Sequence, residues 1–381
     1  MGANTSRQCS RVMFVGLGDL TKRVVDILLS AGFQGQLAVT ARSDEAVVRH
    51  TNLVRYVGWN IGAETPVVGL RVDVDDVEKT AEAISQFDPD YIFMGASMHA
   101  ARRILDLPGE ITRRLDRAEL GPWLPVHLSL NLKLSAAIEM AGSTAAVING
   151  AYPDAVGPAM AAIGRAPMVG IGNVGNIIPG ITYAASRLSG VPVAELQVKF
   201  VAHHYVSHRV HRFGDAGQAP YILSVTRRDT GKQVDVDPQD VFRTLAGPLR
   251  RTGGRDGQQL TAASAARLLM ALTSEEPVDL HAPSPGGLPG GYPVRVHRGG
   301  VELALPDGID LADAVAVNAG GQAADGILSI SPSGEVQFAA EQMSIMRDIL
   351  GYWQESMELD DCHRLAAELV DRVNRLDGGT R

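Results

Sequence analysis

The first 150 residues alternate between short apolar runs and amphipathic segments with helical spacing. Apolar runs predict strands at 11–15, 35–41, 67–72, 91–96 and 147–149. Segments with an apolar stripe predict helices at 19–30, 77–86 and 128–141. This alternation is typical of a parallel sheet that is covered by helices on both faces. Residue 150 is the predicted boundary between a first domain, 1–150, and a second domain, 151–381.

A glycine-rich turn follows the first predicted strand. It has the sequence GLGDLT at 16–21, which is G-x-G-x-x-G with Thr21 in place of the third glycine. The first glycine permits a tight turn and the second lets a diphosphate approach the N-terminus of the next helix. We therefore predict an α/β, Rossmann-type doubly wound domain that binds a dinucleotide through Gly16, Gly18, Asp19 and Leu20. The alternative is a glycine-rich turn that binds nothing.

The end of the second strand bears on the choice of cofactor. Thr40 stands near the position where an NAD site usually has an acidic residue for the ribose 2′-hydroxyl, and Arg42 and Ser43 follow. A guanidinium and a hydroxyl suit a 2′-phosphate, so the sequence favours NADP. NAD is the alternative if Asp44 or Glu45 reaches the ribose.

Other polar residues follow predicted strands at the edge where open α/β sheets bind ligands. Ser97 and Asn149 are predicted to contact the cofactor, and His99 is a neighbouring candidate. Tyr152 is predicted to contact the substrate.

The second domain is predicted to be α+β. Long strands are expected across 191–228, a helix at 261–273, and helices from about 339 to 376 that break near Gly351 and Asp360. A Gly/Pro-rich stretch at 281–296 carries Tyr292 and Arg295. It is predicted to be a lid over the substrate, or else a rigid loop.

Four histidines lie within HHYVSHRVH at 203–211. The β-rich flanks predict a strand, in which His204 and His208 would share a face about 13 Å apart, too far for one zinc ion. In a helix the two would be neighbours, and a metal site would then be plausible. We predict a strand and no metal. The non-catalytic alternative is a polar strand at a subunit interface, in which each histidine is only hydrogen-bonded.

Residues 149–211 resemble the lactate/malate dehydrogenase superfamily, which also includes NAD-dependent glycosidases. The resemblance rests on NGAYPD at 149–154, GIGNVGN at 170–176 and FVAHHYVS at 200–207. It implies hydride transfer between a nicotinamide and a small substrate, with His204 as the acid/base, and a dimer or tetramer. The first half, with PDYIF at 89–93, also resembles the saccharopine-dehydrogenase-type NADP domain.

Three departures from that pattern narrow the chemistry. Asn176 stands in place of the aspartate that pairs with the histidine, and Pro179 in place of the arginine that binds the substrate carboxylate. A plain lactate or malate reaction is therefore disfavoured. The metal-binding Cys and His of the glycosidases are also missing, near Gly172 and Asn173. Asn176 is predicted to orient His204, and His203 is a further catalytic candidate.

Several side chains are predicted to hold the substrate. Asn131 and Lys133 lie on a helix that faces the cofactor cleft in the related dehydrogenases, although for Lys133 a solvated position on that helix is the favoured interpretation. His208, Arg209 and Arg212 belong to the histidine segment, and the cations among them are candidate anion ligands. Tyr292 is the candidate from the predicted lid.

The overall composition narrows the class of protein. A net charge of -8 argues against nucleic acid or a membrane surface as the partner. No apolar run reaches the ~18–20 residues of a membrane span. The start has no signal-peptide pattern and the two cysteines lie near opposite ends, so we expect a cytoplasmic protein.

The sequence thus predicts an NAD(P)-dependent oxidoreductase that acts on a C=O or C=N carbon of a small polar metabolite. One alternative is a lyase, hydrolase or epimerase that uses a tightly bound nicotinamide transiently. Another is a non-enzymatic, nucleotide-sensing protein on the same fold.

Overall fold

A six-stranded parallel sheet forms the first part of the molecule, in a computed structural model that describes residues 9–98, 107 and 109–378. Its strand order is β3-β2-β1-β4-β5-β6, the order of a doubly wound nucleotide-binding sheet. The strands are β1 Ser10–Val15, β2 Gly35–Ala41, β3 Val67–Arg71, β4 Tyr91–Met94, β5 Ala146–Asn149 and β6 Val169–Gly170. The sixth strand thus lies beyond residue 150.

Helices cover both faces of this sheet because successive residues of each strand point to opposite sides. Phe14 packs into the layer formed by α1 Asp19–Ser30, α2 Asp44–Asn60 and α10 Gly254–Leu272, whereas Met13 packs against α3 Val77–Phe87 and α5 Leu124–Met140. The predicted alternation and the fold class are confirmed. Helix α2 is an element that the sequence analysis missed.

The remaining elements form a second α/β region around short antiparallel sheets. The strands are β7 Leu196–Val201 with β8 Ile222–Arg227, β9 Val278–Pro283 with β10 Gly291–His297 and β11 Gly300–Leu303, and β12 Ile327–Ile330 with β13 Val336–Phe338 and β14 Ser356–Met357. The helices are α4 Gly109–Asp116, α6 Pro153–Ala161, α7 Val174–Ser189, α8 His204–Phe213, α9 Pro238–Ala246, α11 Leu311–Ala324, α12 Ala340–Leu350 and α13 Cys362–Gly378. The predicted C-terminal helices are confirmed, and α13 packs along α5.

The prediction of a strand through the histidine segment is wrong. The strand ends at Val201, where its pairing with β8 ends, and α8 begins at His204. His203 caps the helix by accepting a hydrogen bond from the N–H of Tyr205, and Gly214 ends it at φ 76°. Val206 and Val210 are four residues apart and both fully buried, so a helix buries them on one face.

The prediction of a lid at 281–296 is also wrong. Most of the stretch is the β-hairpin of β9 and β10, joined by a short turn at 284–290. Tyr292, Val294 and Val296 are all fully buried, at the alternate positions that face the core of a strand. Tyr292 donates its hydroxyl hydrogen to the backbone oxygen of Pro289 at 2.7 Å. Its side chain is therefore part of the core.

No helix in the described part of the chain is both long and apolar enough to cross a membrane.

Candidate active site

The glycine-rich turn has the geometry of a phosphate-binding turn. Gly16 adopts φ +86°, and a Cβ built there would lie 2.7 Å from the Cβ and N of Ala96, so only glycine fits. At Gly18, the N-cap of α1, a Cβ would meet nothing within 4 Å. The space over the first turn of α1 is open, and its free N–H groups face it. These features fit a dinucleotide diphosphate.

Thr21 fills the place of the third glycine without disturbing the helix. Its side chain is buried against Gly95, just after β4, where a Cβ would collide with the threonine hydroxyl. The glycine that allows close packing thus lies on the strand instead of on the helix. Gly95 on the neighbouring strand end thus provides the space that a glycine at position 21 would otherwise provide.

Charged groups surround the N-terminus of α1. Asp19 lies in the first turn, where a carboxylate would repel a phosphate. It forms an ion pair with Arg23 at 3.1 Å, and Arg255 from α10 approaches its other oxygen at 3.8 Å. Two guanidinium groups against one carboxylate leave this end of the helix net positive. Leu20 is a half-buried residue of the same turn.

The predicted residues at the end of β2 have separate roles. Thr40 is buried, and its hydroxyl donates to the backbone oxygen of Phe14 at 2.9 Å, so it supports the turn from below and is not exposed to a ribose. Ser43 caps α2 by accepting from the N–H of Ala46 at 3.3 Å. Arg42 is exposed, and no hydrogen bond or ion pair links it to another described residue. Of the three predicted residues at the end of β2, Arg42 is the one whose side chain is both exposed and available to a ligand.

Of the candidates at strand ends, Asn149 is held by its own loop. The side-chain amide of Asn149 donates to the backbone oxygen of Ala151 at 3.0 Å and accepts from its N–H at 2.8 Å. Asn149 therefore shapes the chain after β5. Ser97 is half-buried beyond β4. His99 lies outside the described residues.

A hydrogen-bonded group brings the histidine helix to the carboxyl edge of the sheet. The backbone N–H of His204 donates to Oδ1 of Asp154 at 3.1 Å, and the side-chain amide of Asn173 donates to the same oxygen. Ser207 in turn donates its hydroxyl hydrogen to Oδ1 of Asn173 at 3.1 Å. Because Asp154 follows β5 and Asn173 follows β6, the group lies at the edge where the glycine turn opens.

Three of the five non-glycine residues with positive φ in the described part of the chain lie at or near this group. Tyr152, Asn173 and Glu119 have φ values of 43°, 52° and 54°, a region that side chains other than glycine rarely adopt. Each such residue costs on the order of 1 kcal/mol or more. Their clustering indicates that the surrounding packing holds these side chains in place.

Buried acidic groups lie behind His204. Tyr152 donates to Oδ2 of Asp325 at 2.7 Å, and its ring lies edge-on to that of His204, with centroids 6.4 Å apart. Burial raises the pKa of Asp154 to about 7, against the opposing effect of the hydrogen bond from the N–H of His204. Burial raises the pKa of Glu119 to about 7 as well, and that of Asp325 well above its ordinary value. The cluster can hold protons at neutral pH.

Burial lowers the pKa values of the neighbouring imidazoles, whereas it raises those of the acidic groups. Burial, with the charges of Arg212 and His211, lowers the pKa of His204 to about 4. Burial and the charge of His204 lower the pKa of His208 to about 2. His204 is therefore neutral at pH 7, and its Nδ1 is buried with no hydrogen-bond partner among the described residues. A neutral imidazole can accept a proton and later return it.

The expected pairing of Asn176 with His204 is wrong. The amide of Asn176 donates to the hydroxyl of Thr261 at 2.9 Å and accepts from that of Ser264 at 2.9 Å, so it joins α7 to α10. Asp154 holds the backbone at His204 instead. His203 is fully buried, and its Nδ1 serves as the cap of α8.

The predicted anion ligands are already paired with carboxylates. Arg209 binds Asp215 at 2.7 Å, and Arg212 binds Asp116 at 2.5 Å. Lys133 forms an ion pair with Asp75. These three cations therefore have counter-ions within the protein.

Asn131 is directed elsewhere. Its amide donates to the backbone oxygen of His127 at 2.8 Å, and it lines a cavity of about 610 Å³ together with Arg165 and Met168. That cavity lies between α5 and the segment that leads into β6.

Sequence reasoning missed Asp154 and Asp325. Asp154 belongs to the NGAYPD motif, so its position after a strand was an available signal. Asp325 directly follows α11, and no local pattern marks it.

Although the segment is helical, no group of three or more His, Cys, Asp or Glu side chains within residues 9–98, 107 and 109–378 is placed to hold a metal ion.

Comparison with known proteins gives a result at the level of the fold. Neither a protein-family model nor a curated protein sequence matches the chain. Lactate dehydrogenase from Eimeria maxima, solved with NADH and oxamate, superposes with a TM-score of 0.54 at 11% identity, over 83% of this chain and 92% of that one. Malate dehydrogenase from Cryptosporidium parvum gives 0.52 at 13% identity, over 83% and 99%. That from Aeropyrum pernix gives 0.52 at 14% identity, over 82% and 96%. The chain has the fold of lactate and malate dehydrogenases.

Proposed function

We propose that the protein is a nicotinamide-dependent oxidoreductase that acts on a C=O or C=N carbon of a small metabolite. The observation that carries the proposal is the 3.1 Å hydrogen bond from the N–H of His204 to Asp154. It holds the start of α8, and with it His204, at the carboxyl edge of the sheet, the same edge at which the glycine turn opens. The fold shared with the Eimeria lactate dehydrogenase also supports a nicotinamide-dependent oxidoreductase.

The residues at the site would have distinct tasks. The N–H groups at Gly18 and the first turn of α1 would bind the diphosphate. When bound, the nicotinamide supplies or accepts the hydride. His204, which is neutral at pH 7, would take the proton from the substrate oxygen or nitrogen during oxidation. In the reverse direction the imidazolium so formed would return that proton to the substrate. Asp154 would hold the backbone of His204 in place through the hydrogen bond from its N–H.

The preference between NAD and NADP depends on one side chain. Arg42 is exposed and has no ion-pair partner within the part of the chain that the structure describes, which suits a 2′-phosphate and supports NADP. The resemblance of the first half to the saccharopine-dehydrogenase-type NADP domain favours the same choice. The Eimeria structure contains NADH, which supports NAD as the alternative.

We propose that the protein forms a homodimer in the cytoplasm. Helix α2 exposes several large apolar side chains along its outer face, each about half exposed or more: Val48, Leu53, Tyr56 and Trp59. Contiguous apolar surface of this kind marks association sites. Analytical ultracentrifugation of Trp59→Lys protein beside the wild type would test this, and a monomeric wild type at high concentration would refute it.

The function is tested by coenzyme binding followed by turnover. We expect NADPH or NADH fluorescence to change on binding, with micromolar affinity. Absorbance at 340 nm should then fall when aldehydes, ketones or imines are added. A change in stoichiometric proportion to product separates an oxidoreductase from an enzyme that oxidises its substrate only transiently. Absence of binding by either coenzyme at high protein concentration refutes the proposal.

A further inference from the structure

A cavity of about 1080 Å³ lies in the second region of the molecule. Helices α7 and α10 form two of its walls, and strands β7, β9 and β10 form the others. Its volume is at the upper end of the range that is usual for small-molecule pockets. The cavity is therefore large enough to hold a metabolite.

The charged side chains that line this cavity are mostly positive. Lys199 belongs to β7, Arg228 directly follows β8, Arg267 belongs to α10 and Arg295 belongs to β10. Asp279 is the one carboxylate among the described residues that line it. The chain as a whole has the opposite balance, with 43 acidic and 35 basic residues. The excess of cations is thus a local property, and we call this space the basic cavity.

Three of the four cations have no carboxylate partner within residues 9–98, 107 and 109–378. Arg295 is the exception, because it binds Asp279 at 2.9 Å across the β9–β10 pair. Arg267 forms neither a hydrogen bond nor an ion pair with any described residue. It follows Ser264 by three residues on α10, and both line the basic cavity, which is the spacing of neighbours on one helix face. Its guanidinium is therefore available to a ligand.

The other two cations are held in place by backbone oxygens. The ammonium of Lys199 donates to the carbonyl of Leu305 at 2.7 Å, and the guanidinium of Arg228 donates to that of Leu196 at 3.0 Å. A carbonyl oxygen does not neutralise a cation, and each side chain has further N–H donors. Lys199 and Arg228 can therefore bind an anion without breaking an ion pair.

The walls between the cations are apolar. Ile178 of α7, Leu268 of α10 and Leu280 of β9 are among the residues that form them. A cleft lined by charges of one sign concentrates its electrostatic potential, and a guanidinium matches the two oxygens of a carboxylate or phosphate. The basic cavity therefore suits an organic anion whose charged groups contact the cations and whose carbon skeleton contacts the walls.

The basic cavity borders the candidate active site without being part of it. Gly172 lines the cavity, and the next residue, Asn173, donates to the carboxylate of Asp154. Neither His204 nor Gly18 is among the residues that line it. A ligand here would occupy a site that is separate from the glycine turn.

We propose that the basic cavity binds a small organic polyanion, a metabolite with at least two carboxylate or phosphate groups, through Lys199, Arg228 and Arg267. Three cations without carboxylate partners favour a ligand with more than one negative charge. The inference goes beyond the proposed function and does not depend on it, because the glycine turn takes no part in this site.

Calorimetric titration of the full chain tests the proposal without any coenzyme. Citrate and, separately, pyrophosphate are added in a buffer of low ionic strength. We expect at least one of them to bind saturably at one equivalent per chain, and more weakly at high salt because salt screens the charges. The comparison of the two probes shows whether carboxylate or phosphate groups are preferred.

Matched variants locate the bound anion. Arg267→Met and Lys199→Met should each weaken binding of the effective probe at least tenfold, and Arg267→Lys should lose less because the charge remains. Arg187→Met removes an exposed cation of α7 that does not line the cavity, so it should bind as the wild type does. Gly18→Ala alters the glycine turn and should also retain the wild-type affinity. Thermal melting checks that each variant is folded.

The inference is overturned if neither probe binds saturably, or if the Arg267→Met and Lys199→Met proteins bind the probes like the wild type. Loss of binding in Gly18→Ala alone would place the anion at the glycine turn and would refute the proposal too. An NADH and NADPH titration of the same proteins reports separately on the proposed function. Wild-type protein that binds the anion but neither coenzyme refutes only the proposed function.

Discussion

The phenol of Tyr152 donates a 2.7 Å hydrogen bond to the buried carboxyl group of Asp325, which lies 173 residues further along the chain. Tyr152 precedes α6 at the edge of the parallel sheet, and Asp325 follows α11 of the second region. The bond joins the two regions directly behind His204. Both groups are buried, so removing the Tyr152 hydroxyl would leave the Asp325 carboxyl oxygen without its hydrogen-bond donor.

Replacing Tyr152 with phenylalanine should lower the free energy of unfolding by about 1–3 kcal/mol, since Asp325 loses that donor in a dry environment. Urea denaturation measures the change. Tyr352→Phe is the matched control, because the buried Tyr352 hydroxyl has no hydrogen-bond partner among the described residues. Equal stability of the Tyr152→Phe and wild-type proteins would contradict the buried bond.

Asp154→Asn should change how stability depends on pH. Burial raises the pKa of Asp154 to about 7 from 3.8, so the folded wild type loses stability as pH rises from about 4 to 7. The variant lacks this loss. Relative to the wild type, it should therefore gain up to about 4 kcal/mol between pH 4 and pH 8. Urea melts at several pH values measure this, with the exposed Asp307→Asn as control. If the difference in the free energy of unfolding between the variant and the wild type does not change with pH, the pKa of Asp154 is not raised.

His204→Gln should reduce kcat/KM by roughly 10²- to 10⁴-fold, the usual contribution of general acid–base catalysis, while coenzyme binding is retained. Asn176→Ala should leave kcat/KM within a few-fold of the wild type, because its amide contacts Thr261 and Ser264. Steady-state kinetics of both variants decide the matter. Full activity of the His204 variant would remove this histidine from the mechanism.

Gly18→Ala and Gly16→Ala should fail in different ways. A methyl group at Gly18 meets no protein atom within 4 Å, so the variant should fold normally and bind coenzyme at least tenfold more weakly. At Gly16 the methyl group would collide with Ala96, at a positive φ, so that variant should lose stability. Calorimetric melting and NADPH fluorescence separate the outcomes. Unchanged coenzyme affinity in Gly18→Ala would argue against a diphosphate at this turn.

Arg42→Ala should weaken NADPH binding about tenfold and leave NADH binding nearly unchanged, because only the 2′-phosphate would contact the guanidinium. Parallel fluorescence titrations with the two coenzymes measure the difference. Arg49→Ala, on the exposed side of α2, is the control. If both coenzymes bind the variant as they bind the wild type, the preference for NADP has another origin or does not exist.

The sequence predicted those features whose signal lies within a few residues. Each strand of the parallel sheet is a short apolar run, and the turn at 16–21 is marked by its own glycines. Helix α2 was not predicted because it has only three buried residues and therefore a weak apolar stripe. These residues are Thr51, Val54 and Gly58. The histidine segment was misread because its flanking strand is β-rich, although Val206, Val210 and Gly214 carried the helical signal.

The sequence by itself determined the doubly wound sheet and the position of the glycine-rich turn, because the apolar periodicity and the glycines act over a few residues. Tertiary structure alone decided which polar groups meet. Asp154 took the place beside His204 that was expected for Asn176, and Asp325 joined Tyr152. These partners lie 50 and 173 residues apart, so no local pattern pairs them. Their burial, which shifts each pKa, exists only once the two regions have packed together.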